Sequence, residues 1–200
     1  MLMNTKRPLR VLYLHNPRFM GGGEMSLLQL VGALDRSRCD PYFLSGPYQP
    51  FLDEMGALDV PVETCEFPPI RPHRLGAVRR CLSVIRSAVH KWGVDLLHGN
   101  APRVNVLAGL ASRGFPVKVV YHARNLLLES DWVDLDYWSS WMADAIICNS
   151  RATQERFRRR GPFRPRSTVV LNGVDLNAFH PGIERRACRE ALGLPEVCSS

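Results

Sequence analysis

The feature that most constrains this chain is an alternation. Short apolar runs rich in β-branched and aromatic residues, at residues 10–15, 41–44, 61–64, 95–98, 118–122, 145–148 and 168–171, are separated by longer stretches with helical character. Runs this short and this apolar read as strands buried on both faces, the pattern of a parallel sheet covered by helices. Helices are expected at residues 23–34, 51–58, 75–91, 104–112, 131–142 and 151–160. The third shows its apolar stripe openly at Leu75, Val78, Leu82, Ile85 and Val89, three and four residues apart. Strands and helices alternating at this interval predict βαβ units with right-handed crossovers, and hence an α/β, doubly wound, Rossmann-like parallel sheet of about seven strands.

A chain of 200 residues, 46% of them hydrophobic, matches one domain of ordinary size with a proper core. The pattern changes after Pro181, where residues 182–189 are strongly charged and Gly193-Leu-Pro195 closes a short helix. We therefore expect a domain over residues 1–181 and a connecting segment over 182–200. No stretch approaches the roughly 18 apolar residues of a membrane span, and the apolar run after Lys6, Arg7 and Arg10 is too short for a signal peptide. A cytoplasmic protein is expected. The cysteines form no Cys-x-x-Cys pair, so reduced structural thiols are expected rather than zinc ligands or a disulfide framework.

The net charge of +7 is carried by arginine, the only lysines being Lys6, Lys91 and Lys118. Two clusters stand out: Arg71, Arg74, Arg79, Arg80 and Arg86, and then Arg156, Arg158, Arg159, Arg160, Arg164 and Arg166. Nucleic acid is a poor partner, because no aromatics interleave with these charges and no recognition motif accompanies them. An anionic membrane surface on the inner face of the cytoplasmic membrane suits them better, and a solvated helix face is the plain alternative.

Ligands of an open parallel sheet bind beyond the carboxyl ends of its strands, where strand order reverses. After the first run come His15, Asn16, Pro17, Arg18 and then Gly21-Gly22-Gly23-Glu24, opening a helix. Adjacent glycines let a ligand approach the backbone, and a helix N-terminus offers free N–H groups. A turn with Glu24 offsetting the helix dipole is the structural alternative. His98 with Asn100, and His122 with Arg124, close the fourth and fifth runs, and Asn149-Ser150 closes the sixth, Ser150 being placed to cap the next helix. Asn172-Gly173 fits a turn with positive φ, and Asp175 can cap the next turn of the chain. Asp131, Asp134 and Asp136 fall in an expected surface segment, whose Trp132, Tyr137, Trp138 and Trp141 read as the packed face of an amphipathic helix. A nicotinamide fingerprint is not met, because the third glycine position is Ser26 and no acid ends the second strand. Neither a Gly-x-Ser-x-Gly elbow nor a Walker loop is present.

Three sequence stretches together resemble the N-terminal domain of GT-B glycosyltransferases of the retaining family-4 type. They are Arg-Val-Leu-Tyr-Leu-His15 with Gly22-Gly23-Glu24; His122 with Arg124; and Asn149-Ser150 followed by Asn172-Gly-Val-Asp175 running to Phe179 and Pro181. The resemblance implies transfer of a sugar, with retention, from a nucleotide-sugar to a glycan, lipid-linked or small-molecule acceptor. It implies no metal and no cofactor, and a second, C-terminal Rossmann domain of the same polypeptide that holds most of the donor. It casts His122 as the catalytic candidate contacting the transferred sugar. Gly22, Gly23, Glu24, Asn16, Arg18, His98, Asn100, Arg124 and Asn149 become donor- or acceptor-binding candidates. The competing reading is a stand-alone, non-catalytic domain that binds a glycan, lipid or protein.

Overall fold

A computed structural model describes residues 7–126, 134–158, 167–177, 182 and 184–195. Its strands are β1 (Leu9–His15), β2 (Cys39–Ser45), β3 (Val62–Thr64), β4 (Leu96–Gly99), β5 (Lys118–Ala123), β6 (Ala145–Cys148) and β7 (Ser167–Val169). They form one parallel sheet in the order β3-β2-β1-β4-β5-β6-β7. The chain walks outward from β1 to β3, returns to the other side of β1 for β4, and walks out again to β7. The reversal therefore lies between β1 and β4, and a crevice opens beyond their carboxyl ends.

The helices are α1 (Gly22–Gly32), α2 (Gln49–Ala57), α3 (Leu75–Trp92), α4 (Pro102–Ala111), α5 (Leu135–Ser139), α6 (Arg151–Arg158) and α7 (Arg185–Ala191). Successive strand side chains face opposite ways, which divides the core in two. Val11, Tyr13 and Phe43 meet Leu27, Val31, Phe51 and Met55 of α1 and α2. On the other face Leu12, Leu14, Leu97, Val119, Tyr121 and Ile146 meet Val78 and Ile85 of α3 and Val104 and Leu107 of α4. That parity also assigns His15, His98 and His122 to the α1 face.

Two helix ends show how local residues set the boundaries. α4 starts at Pro102 rather than at Val104, since proline is tolerated in a first turn that has no hydrogen-bond acceptor for its missing N–H. Gly99 makes this abrupt start possible: a Cβ there would lie 2.2 Å from Asn105 Oδ1 and 3.0 Å from Asn105 Cα. α3 ends at Gly93 in the left-handed region, φ +56°, a position that favours glycine.

The segment before β6 departs from the expectation drawn for it, except at Tyr137, which packs against the core. Asp134 and Asp136 are buried, at 3% and 1% exposure, while Trp138 and Trp141 stand 66% and 61% exposed. The reason is a polar cluster under the segment. Asp134 caps α5 by accepting from Tyr137 N and takes the Arg156 guanidinium of α6 through Nε at 3.1 Å. Asp136 accepts from Asn105 Nδ2 at 2.7 Å, and burial pushes its pKa up to about 6. The exposed Trp141 ring carries Arg113 at 4.6 Å instead. Asp131 and Trp132 lie outside the described residues.

The arginine clusters are also divided by the fold. Arg156 is buried in an ion pair, and Arg86 donates to the carbonyls of Leu110 and Ala111 at the end of α4. Arg71, Arg74, Arg79 and Arg80 are exposed, whereas Arg159, Arg160, Arg164 and Arg166 lie outside the described residues. Among the described residues no helix is long and apolar enough to cross a membrane.

Candidate functional site

The glycine loop and the strand ends converge at the β1/β4 reversal. Gly21 N-caps α1 in extended conformation, and Glu24 reaches back so that its Oε2 accepts from Gly21 N at 3.1 Å. Gly22 and Gly23 do not have positive φ, and a Cβ on either would meet nothing within 4 Å. Both are glycines beside open space. The constrained glycine is Gly21, where a Cβ would lie 2.6 Å from the Phe19 ring.

From Glu24 a chain of hydrogen bonds crosses three strands. His15 Nε2–H donates to Glu24 Oε1 at 3.0 Å, and Asn100 Nδ2–H donates to His15 Nδ1 at 3.2 Å. Asn100 Oδ1 accepts from Arg124 Nε–H at 2.8 Å. Arg124 can only donate, which fixes the Asn100 amide and, through it, the His15 proton on Nε2. Further along, His122 Nδ1 accepts from Arg124 Nη2–H at 3.4 Å and from His98 Nε2–H at 3.3 Å. The neutral His122 ring must then carry its proton on Nε2. That Nε2 is buried and has no partner.

Electrostatics keep these rings neutral. Burial lowers the pKa of His122 well below the usual imidazole range, with Arg124 and then His98 adding to the effect. Burial beside Arg124 takes His98 down to about 3. Burial lowers His15 also, against the opposing pull of Glu24. Arg124, half-buried, falls to about 10 through burial and remains a cation. The site thus presents one fixed positive charge and a neutral imidazole N–H.

Two cavities meet at this network. One of about 470 Å³ lies between the glycine loop and the β4–α4 junction, against Asn16, Gly22, Glu24, Asn100 and Asn149. The other, about 580 Å³, lies between α1 and residues 170–175, against Ser26, Leu30, His98 and Ile147. His122, Arg124 and Asn172 border both. Asn172 is tied to α1 by Ser26 Oγ at 3.2 Å. Neither it nor Gly173 has the positive φ expected of them, because the segment is held by that side-chain bond and not by a closed turn. Asp175 does cap the following turn, accepting from Asn177 N.

Nine sequence candidates therefore assemble: Asn16, Gly22, Gly23, Glu24, Asn100, Asn149, Arg124, His98 and His122. Asn149 acts through Arg124, donating to its carbonyl at 2.9 Å, while Ser150 caps α6 through Thr153 N. Arg18 is exposed and borders neither cavity. His15 is not among the candidates, although it ends β1 beside the glycine loop; its position at a strand terminus is the available signal. Among the described residues no three His, Cys, Asp or Glu side chains converge as a metal site requires.

A doubly wound sheet whose glycine loop, helix N-terminus and strand ends enclose a polar crevice defines a Rossmann-like domain. Residues 20–178 match Glycosyltransferase Family 4, and the chain belongs to that family. No curated protein matches it in sequence. Among solved structures it is similar to Anabaena HepE in complex with UDP-glucose, at 22% identity and a TM-score of 0.71, over 92% of this chain and 50% of that one. A glycosyltransferase from Rickettsia africae shows 16% identity and a TM-score of 0.72, over 94% and 50%. Sucrose-phosphate synthase from Thermosynechococcus elongatus shows 15% identity and a TM-score of 0.68, over 94% and 53%. The chain spans about half the length of these structures. At such identities the likeness concerns the fold.

Proposed function

We propose that the protein is the acceptor-side half of a retaining glycosyltransferase, transferring a sugar from a nucleotide-sugar to an acceptor seated in the β1/β4 crevice. The observation that carries this is His122 Nε2–H: buried, neutral, unpartnered, and bordering both cavities. A buried donor without a partner costs about 1–3 kcal/mol, which a sugar hydroxyl accepting from it would offset. Arg124 keeps Nδ1 of that ring engaged from the other side, so the ring cannot flip without losing its two bonds. The open faces of Gly22 and Gly23, with the α1 amides behind them, suit an oxygen-rich group, and HepE has been crystallised with a ligand of that class, UDP-glucose.

In this reading a second Rossmann domain of the same polypeptide holds the donor diphosphate, and no metal is required. The two halves hold donor and acceptor in near-attack geometry, a contribution that one half alone cannot make. The test is a nucleotide-sugar screen on the protein with that second domain, with the product's anomeric configuration read by NMR. Turnover with retained configuration is expected, and negligible turnover from residues 1–200 alone. An open reading frame that ends at Ser200, with no turnover of any donor, would instead establish the stand-alone binding domain.

A further inference from the structure

Two thiols that line neither cavity meet beneath the edge of the sheet. Cys65 directly follows β3, its N–H donating to the Ser45 carbonyl at 2.8 Å, and Cys81 lies in the second turn of α3. Their Sγ atoms are 3.7 Å apart, with Cys65 6% and Cys81 3% exposed. Cys65 S–H donates to the Glu66 carbonyl at 3.5 Å, so the contact between the sulfurs is filled by Cys81 S–H donating to Cys65 Sγ. That bond favours the charged form of Cys65. It holds the Cys65 thiol below its usual range, against the opposing effects of burial and Glu66, and raises Cys81.

A cystine needs its sulfurs about 2.05 Å apart, so the pair must close by about 1.7 Å, a distance that small rotations of both side chains can share. Access comes from the edge. β3 ends the sheet, is three residues long and pairs with β2, and Cys65 is flanked by exposed Thr64 and Glu66. So short an edge strand opens at less cost than a central one, which exposes Cys65 to a small uncharged oxidant.

We propose that Cys65 and Cys81 are a reversible dithiol–disulfide pair, oxidised by a peroxide, that fastens the segment after β3 to α3. The Cys65 thiolate attacks one peroxide oxygen; the O–O bond breaks, Cys65 becomes a sulfenic acid, and hydroxide leaves as water with the proton Cys65 released. Cys81 sulfur then attacks Cys65 sulfur, the S–S bond forms, and the sulfenic hydroxyl departs as water with the Cys81 proton. Two thiols and one peroxide thus become one disulfide and two waters. The fastened segment carries Phe67, whose carbonyl accepts from Arg103 Nη1 at 3.4 Å in the first turn of α4. Ala101 and Pro102, immediately before Arg103, line the smaller cavity, so oxidation stiffens a support of its wall.

The test uses the chain with Cys188→Ser and Cys198→Ser, which removes the exposed thiol of α7 and the last cysteine of the sequence. It is treated with hydrogen peroxide, the remaining thiols are alkylated, and the digest is mapped by mass spectrometry beside a melting curve; Cys65→Ala and Cys81→Ala in the same background are treated alike. Peptides joined through Cys65 and Cys81, separated again by dithiothreitol, are expected. Closing a loop across sixteen positions should raise Tm by about 5–10 °C on oxidation, and neither alanine variant should show that rise. Four results overturn the proposal: no joined peptide from protein that stays folded, joining to Cys39 or Cys148 instead, a joined pair that lowers Tm, or the same rise in the alanine variants. No readout needs turnover, so the pair stands or falls apart from the transferase reading.

Discussion

At the scale of single residues, the site is a proton inventory fixed by one arginine. Because Arg124 can only donate, the Asn100 amide and the tautomers of His15 and His122 are set one after another, ending in a buried N–H without a partner. Strand-end positions made most of these residues legible from sequence alone. Their connectivity was not legible, since it depends on β1, β4 and β5 being neighbours, an order no local pattern encodes. The neutral rings have a measurable consequence. Burial lowers the folded pKa of His15, His98 and His122 beneath 6.5, so below that pH the unfolded chain takes up more protons and the folded state loses stability. The contribution is complete above about pH 6.5, and each ring withdraws up to about 1.4 kcal/mol per pH unit below it. Asp136 opposes this: its pKa is raised from 3.8 to about 6, so its contribution is complete below 3.8 and is lost as pH rises through 6. With three rings against one carboxyl, Tm should fall between about pH 7 and about pH 5, and less steeply in His98→Asn. A Tm that is flat over that range would show that the rings are not buried neutral. Glycines offer a second check. Gly99→Ala should cost about 1–3 kcal/mol in urea unfolding through its clash with Asn105, whereas Gly22→Val should leave stability within about 1 kcal/mol and weaken ligand binding. Equal stability losses at the two positions would contradict the contrast in packing.

Among the elements, strands were legible to within about two residues because a buried parallel strand has little choice of composition. Helix starts were harder: α4 begins at a proline that sequence reasoning places in the preceding loop. In the α5 segment Tyr137 packs against the core as expected, but the tryptophans and the acids exchange places. Its aromatics looked like the buried face, yet the acids are buried and the tryptophans exposed, because Arg156 arrives from α6 and Asn105 from α4 to receive the carboxylates. Hydrophobic periodicity cannot register partners supplied by other elements. Removing the partner should therefore be costly: Arg156→Ala leaves two buried carboxylates without their cation, at about 3–5 kcal/mol. Arg79→Ala, on the exposed face of α3, should change stability by less than about 0.5 kcal/mol. Urea unfolding of both variants measures this, and a small effect at Arg156 would mean that the ion pair is not formed.

For the whole molecule, the order β3-β2-β1-β4-β5-β6-β7 places the reversal, the glycine loop and three buried histidines at the carboxyl end of the central strands. Membership in Glycosyltransferase Family 4 and the likeness to solved structures of about twice the length agree with the resemblance read from Gly22-Gly23-Glu24, His122 and the residues around Asn172. Chemistry remained partly hidden in the sequence because the features that indicate a ligand are spatial: an orphaned N–H and glycines facing empty volume. The most direct measurement is nucleotide-sugar turnover by the protein with its second domain, wild type and His122→Ala side by side, each with its melting curve. If His122 donates Nε2–H to the reacting sugar, turnover should fall by about 10²–10³-fold, the scale measured for loss of one stabilising donor in an active site. The melting curve should shift by no more than about 1–2 kcal/mol of stability. Unchanged turnover in His122→Ala, or loss of its folding transition together with its activity, would contradict the account.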